Sequence, residues 1–326
     1  MNIVAITFGD RNAPSTRYRL LNYEPLQAAV GDSFAFINRH DLRLGHLNNC
    51  KAADVIINQK CLLPIPWGWL IRSYAKHLVF EFDDALWLRQ GRPYNWFTQQ
   101  RVNSRLRWWL KNSDVVTCTN EYLASYARRF CNKVYIIPTG INLPEIGYDS
   151  KALPSNGDFV LGWSGSSSSV RYLKSCEDAL VVFLKLHPQA KVRILCNQKP
   201  ELQFPFEFEI WSREAENEFF SSLTIALLPL NMSDEFALGK YPVKALSAMA
   251  YGVPVLGNMS KGGPGEMERK GGCVSVENTN DWVKVLEALL DDRAYQTVSY
   301  AALKNVRENH DIRETYKRWR NMLLER

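Results

Sequence analysis

The chain has 326 residues, 46% of them hydrophobic and 23% charged, which is globular composition with room for two cores of ordinary size. No stretch approaches the ~20 apolar residues of a membrane-spanning helix, and the most apolar one, residues 61–71, is broken by Pro64 and Pro66. Residues 1–150 carry 18 Lys+Arg against 12 Asp+Glu, while residues 151–326 carry 22 of each, so the net +6 lies wholly in the first half. Such an excess suggests an anionic partner for that half: phosphate-bearing lipid, nucleic acid or an acidic glycan. The seven cysteines are scattered without a C-x-x-C pair, the pattern of reduced thiols in a cytoplasmic protein without structural zinc. The opening MNIVAITFGD lacks the basic and small-residue features of a signal peptide.

In chain order, residues 2–8 read as a first buried strand, followed by a polar loop and a helix capped by Ser15 or Thr16. Arg17 and Arg19 stand just inside that helix. Further short strands are predicted over 34–38, 55–58, 78–82, 115–118 and 134–138. With helical stretches between them they predict a parallel α/β sheet. The strand at 78–82 ends in Asp83 and Asp84. Neighbouring strand residues point to opposite faces, so the two acids are not expected to clasp one metal. They suit a sugar hydroxyl or a cation, or else a helix cap or a pairing with Arg17 or Arg19. Residues 101–112 form a basic helical stretch with Trp108 and Trp109. It reads either as a helix on an anionic membrane surface or as one packing its tryptophans on the sheet, and its short apolar face favours the second. The Pro- and Gly-rich residues 138–158 read as a linker between domains 1–150 and 151–326.

The pattern then restarts. A strand over 159–163 leads through Gly165 and Ser166 into a helix over 170–186. Strands follow at 192–196, 206–210 and 225–229, then a helix over 282–290 and a helical ending over 300–324, broken near His310 and Asp311. Between them, residues 234–258 stand out. Pro242 suits the first position of a helix whose apolar face is Val243, Leu246, Met249 and Ala250; Gly252 ends it, and 253–256 is strand-like. Lys240 and Lys244 sit at the helix entrance, against the macrodipole. They read either as a phosphate site or as two solvated lysines. The small residues Gly165 and Ser166 let a backbone approach a phosphate, although the loop is neither a dinucleotide fingerprint nor a P-loop. Both features fall at the carboxyl ends of predicted strands, where open α/β sheets bind ligands. The five histidines show no metal spacing.

On these residues the chain resembles the GT-B glycosyltransferases, nearest to the retaining group called glycosyltransferase family 4. IWSREAENEFFSSLTIALLPL and GKYPVKALSAMAYGVPVLGN are similar to that family's donor-site segments, and STRYRL, FEFDDALW and LGWSGSSSSVRYL to segments elsewhere in it. The resemblance implies two Rossmann-like domains facing across a cleft, the first binding the acceptor and the second the nucleotide-sugar, with the C-terminal helix crossing back to the first. It implies transfer of a hexose or pentose to a glycan or lipid-linked glycan, with retention, as in polysaccharide biosynthesis, with no essential metal or cofactor. Lys240, Lys244 and Asp83 become catalytic candidates. Gly165, Ser166, Arg171, Gly239, Lys240, Lys244 and Ser247 become donor-binding candidates, and Arg17, Arg19 and Asp84 acceptor-side ones. Two glutamates frequent in the family's signature are replaced here by Gly239 and Ser247. Two other readings stay open: sugar transfer to modified DNA bases, and a catalytically silent sugar- or nucleotide-binding protein. A lipid-linked acceptor would bring the protein to the inner face of a membrane.

Overall fold

The computed structural model describes residues 1–144, 151–154 and 157–325; of the predicted linker, 145–150 and 155–156 fall outside the described residues. The chain packs as two compact units. One joins Met1–Asn142 with Asp234–Tyr241 and Asn309–Arg326, and the other joins Leu143–Ser233 with Pro242–Glu308. The division is thus not a single cut near residue 150, because two later segments pack with the first unit.

In the first unit, β1 (Asn2–Thr7), β2 (Ser33–Asn38), β3 (Val55–Gln59), β4 (Leu78–Phe82), β5 (Val115–Cys118) and β6 (Val134–Ile136) form one parallel sheet in the order β2-β1-β3-β4-β5-β6. Strand alternation sends Val4, Ile6 and Phe80 into a core with Leu106 and Trp109, and Ile3, Ala5 and Val79 into a second core on the other face. Both faces are covered, as parallel sheets require. The second face is closed by the helix Ile312–Leu324, whose buried Ile312, Thr315, Tyr316, Trp319, Met322 and Leu323 recur at helical spacing. The last helix therefore returns to the first unit, as the resemblance implies.

The predicted break lies between the helix Asp292–His310 and this last one. Asp311 accepts from the Arg313 N–H at 2.8 Å and so caps the new helix. His310 is fully buried, with Nδ1 2.9 Å from the Thr139 carbonyl and Nε2 3.1 Å from the Tyr241 hydroxyl. The Ile141 N–H donates to His310 O at 2.8 Å, and the Ile312 N–H donates to Ile141 O at 3.0 Å. Three sequence-distant segments of the first unit are knotted there.

In the second unit, β7 (Phe159–Gly165), β8 (Ala190–Cys196), β9 (Glu207–Ile210), β10 (Ile225–Leu228), β11 (Val255–Gly257) and β12 (Cys273–Ser275) form a parallel sheet in the order β12-β11-β10-β7-β8-β9. Counted from the unit's own first strand this is the doubly wound order of dinucleotide-binding folds. The predicted helix over 170–186 is two helices, Val170–Lys174 and Glu177–Leu186. Ser175 stands at the break, its hydroxyl 2.6 Å from the Tyr172 carbonyl, a local bond that competes with helix continuation. Among the described residues, no helix is long and apolar enough to cross a membrane.

Candidate functional site

Each sheet has a topological switch, where the strand next to the first one lies on either side of it. Ligands of open α/β sheets bind outside the carboxyl ends of the strands at that point. In the first unit the switch lies between β1 and β3. Lys60, the residue after β3, is the one non-glycine with left-handed backbone among the described residues, at φ 43°. Its ammonium lies 2.7 Å from Asp83, 2.8 Å from Asp84 and 2.6 Å from the Ser15 hydroxyl. Both acids therefore converge on one cation. The alternation argued from sequence does not separate them, since they follow the strand in a bend rather than belonging to it. Their partner is Lys60, not Arg17 or Arg19. Burial pulls the Lys60 ammonium down, but Asp83 and Asp84 outweigh it and hold it above its ordinary value. Burial pushes Asp83 up, and Lys60 more than offsets that, leaving the carboxyl below its ordinary value. A carboxylate held ionised in this way is a weak base and a good acceptor of hydrogen bonds. Phe8 is 41% exposed beside it, with Lys60 Nζ 5.5 Å from the ring centre and the Arg39 guanidinium 3.9 Å from it.

The acceptor-side reading of Arg19 is corrected. Arg19 is 3% exposed, its Nε 2.7 Å from Glu81 and its Nη1 2.8 Å from the Ile137 carbonyl, so it holds the core together and presents nothing to a ligand. Arg17 is half-buried, its guanidinium 4.5 Å from the centre of the Tyr18 ring. Gly239 is buried, with its carbonyl accepting from Asn120 Nδ2 at 2.9 Å, and a Cβ there would press on Ala85 and Leu123 at 3.0–3.1 Å. Packing within the first unit accounts for this glycine. Lys240, next in sequence, lies 5.2 Å from the centre of the Phe236 ring and makes no ion pair among the described residues.

In the second unit the switch lies between β7 and β10. A small cleft there is lined by Gly162 and Ser164 of β7, by residues 226–228 of β10, and by Phe220, Lys244, Ala245 and Val255. The Ser164 hydroxyl is buried and has no hydrogen-bond partner, a condition that costs free energy until a partner arrives. Gly165 ends β7, and a Cβ there would meet the Trp163 ring at 2.5 Å. Ser166 follows, exposed, its hydroxyl 2.8 Å from that of Ser168. Arg171 is exposed and lies 4.9 Å from the centre of the Tyr172 ring. The helix predicted to start at Pro242 runs Val243–Met249, with Pro242 as its cap residue. Seven residues are too few for a macrodipole argument, and Lys244 has a counter-ion that the sequence reading did not supply. Its ammonium pairs with Glu216 and lies 5.5 Å from the centre of the Trp211 ring. Ser247 is half-buried one turn beyond the entrance. Among the described residues, no three His, Cys, Asp or Glu side chains gather as a metal site.

Lys60, Ser15 and Glu216 are the residues that sequence reasoning missed. A lysine closing the strand-like run VIINQ was a signal for the first, and the acidic helix preceding β10 for the last.

No known protein-family model matches the sequence, and no curated protein matches it significantly. Solved structures match its fold along its whole length. HepE from Anabaena, in complex with UDP-glucose, superposes with a TM-score of 0.70 at 12% identity over 100% of both chains. Sucrose-phosphate synthase from Thermosynechococcus elongatus gives 0.66 at 17% identity over 98% of each. An alpha-glucosyltransferase in complex with UDP-glucose and DNA containing an abasic site gives 0.66 at 11% identity over 99% of each. The chain has the GT-B fold of these proteins; at such identities the likeness is one of fold.

Proposed function

We propose that the protein is a glycosyltransferase that takes a sugar from a nucleotide-sugar, with the second unit holding the donor and the first the acceptor. One observation carries the reading: at the switch point of the second unit a buried, unpartnered Ser164 hydroxyl and the Lys244 ammonium line one cleft. A hydroxyl donor and a cation at the carboxyl edge of a doubly wound sheet suit a diphosphate. HepE was solved with UDP-glucose and with UDP, and the same donor class is proposed here. Gly165, the last residue of β7, and Ser166 follow Ser164 in the chain. Arg171 and Ser247 complete the proposed donor set in the second unit, and Lys240, which packs with the first unit, is left out of it.

In this reading Lys244 exchanges part of its bond to Glu216 for the leaving diphosphate, so that cation shifts toward the charge as it develops. Asp83, held ionised by Lys60, and Asp84 beside it accept hydrogen bonds from the hydroxyls of a glycan or lipid-linked glycan. Asp83 thereby orients the acceptor and does not serve as a strong base. Transfer with retention, and an acceptor of the polysaccharide-biosynthesis type, belong to the same proposal. Calorimetric titration with UDP, GDP, ADP and CDP and their sugars tests it. Binding of one nucleotide, weakened in a Lys244→Ala variant, is the expected result.

A further inference from the structure

The helices Ile65–Tyr74 and Trp96–Asn112 lie side by side and run in the same direction on one face of the first unit's sheet. Arg105 donates to the Leu62 carbonyl at 3.1 Å, the Trp108 ring fills the space beside Gly68, and Arg72 pairs with Asp114 at 2.7 Å, so positions along the two helices advance together. Their inner sides enter the core through Ile71, Leu106, Trp109 and Leu110, all fully buried. The tryptophans at 108 and 109 thus pack inward, as the second sequence reading had it. The outer sides are another matter. Trp69 is 63% exposed, Leu70 39%, Tyr74 38%, Trp96 67% and Phe97 80%. Neither helix contains an Asp or Glu, and the longer one also exposes Arg101, Arg107 and Lys111.

We propose that this outer face docks on an anionic lipid surface. Single exposed aromatics need no explanation, but five large apolar side chains on two adjacent helices do. Tryptophan, tyrosine and phenylalanine beside Arg and Lys, with no acid among them, are what the boundary between headgroups and acyl chains accommodates. The charge pattern selects among occupants. A second copy laid on the same face would set cations against cations with no carboxylate on either helix to receive them. Nucleic acid would be held by cations spaced along the phosphates, whereas here apolar side chains outnumber the exposed cations. The inference does not depend on the sugar donor, so either can fail alone.

The test is co-sedimentation of the full chain with vesicles of phosphatidylcholine, alone or mixed with phosphatidylserine. Binding to the mixed vesicles, reversed by salt, is expected. It should fall by at least about tenfold in a Trp96→Ser, Phe97→Ser variant, since burying one large apolar side chain contributes that much or more. A second variant, Arg101→Gln with Arg107→Gln and Lys111→Gln, should lose the preference for phosphatidylserine. All the altered side chains are exposed, and an unchanged thermal midpoint verifies the fold of each variant. Absence of vesicle binding overturns the proposal, as does binding that neither variant alters. Duplex DNA retained at low salt, or self-association, lost in these variants without any vesicle binding would assign the face to that partner instead.

Discussion

Lys60 shows how much depends on a single side chain here. Its ammonium is buried to 8% exposure between carboxylates that are 17% and 29% exposed. Lys60→Met should leave Asp83 and Asp84 repelling each other and lower stability by roughly 2–4 kcal/mol, somewhat below the cost of breaking a wholly buried pair. The sign with pH follows from the two shifts. The wild-type contribution of Asp83, whose pKa is lowered, is present above the ordinary carboxyl value of 3.8 and is lost as pH falls through the folded value. That of Lys60, whose pKa is raised, is complete below 10.5 and is lost as pH rises beyond it. Urea unfolding at several pH values should therefore show the variant's deficit at neutral pH and show it shrinking in acid. Arg19 makes the same point inside the core. Burial raises the Glu81 carboxyl, Arg19 opposes that, and the second Glu81 oxygen has no hydrogen-bond partner. Arg19→Met should cost about 3–5 kcal/mol at neutral pH. Glu81 would then titrate still higher in the folded state, so the variant should gain relative stability as pH falls, and an equal deficit at all pH values would contradict this. None of these partnerships was legible in sequence. Lys60 meets Asp83 across a strand crossover, and Glu216 meets Lys244 across 28 residues. The sequence shows acids and bases but not which crossover brings them together.

At the scale of elements, strands β4 and β5 were readable to the residue because each is an apolar run closed by polar or small residues. β12 was not, since three residues carry no usable periodicity. The C-terminal helix was legible as a helix but not as a piece of the first core: its buried stripe is separated by charged residues and looks polar on average. Trp319 is 1% exposed, packed 5.2 Å from the Tyr23 ring centre and 6.1 Å from that of Phe34. Trp319→Ala should destabilise the first unit by about 3–5 kcal/mol, the range for removing a large core side chain. Hydrogen exchange would locate the loss. Faster exchange in β1 and β3, which share that core, is expected, and a loss confined to the last helix would show that the helix is a loosely attached appendage.

For the whole molecule, the first half's excess of positive charge and the restart of the strand–helix pattern were the features that sequence made plain. The discontinuous composition of the units was not, because it depends on contacts between segments far apart in the chain. The proposed activity rests on the second unit's switch-point cleft, so its most direct test is donor binding. Calorimetric titration of the intact protein with UDP, GDP, ADP and CDP should find one nucleotide that binds, and replacing Lys244 by alanine should weaken that binding by about 2–5 kcal/mol, as for charge-assisted contacts to phosphate. Heat from none of the four, or affinity unchanged in the Lys244→Ala variant, would contradict the account.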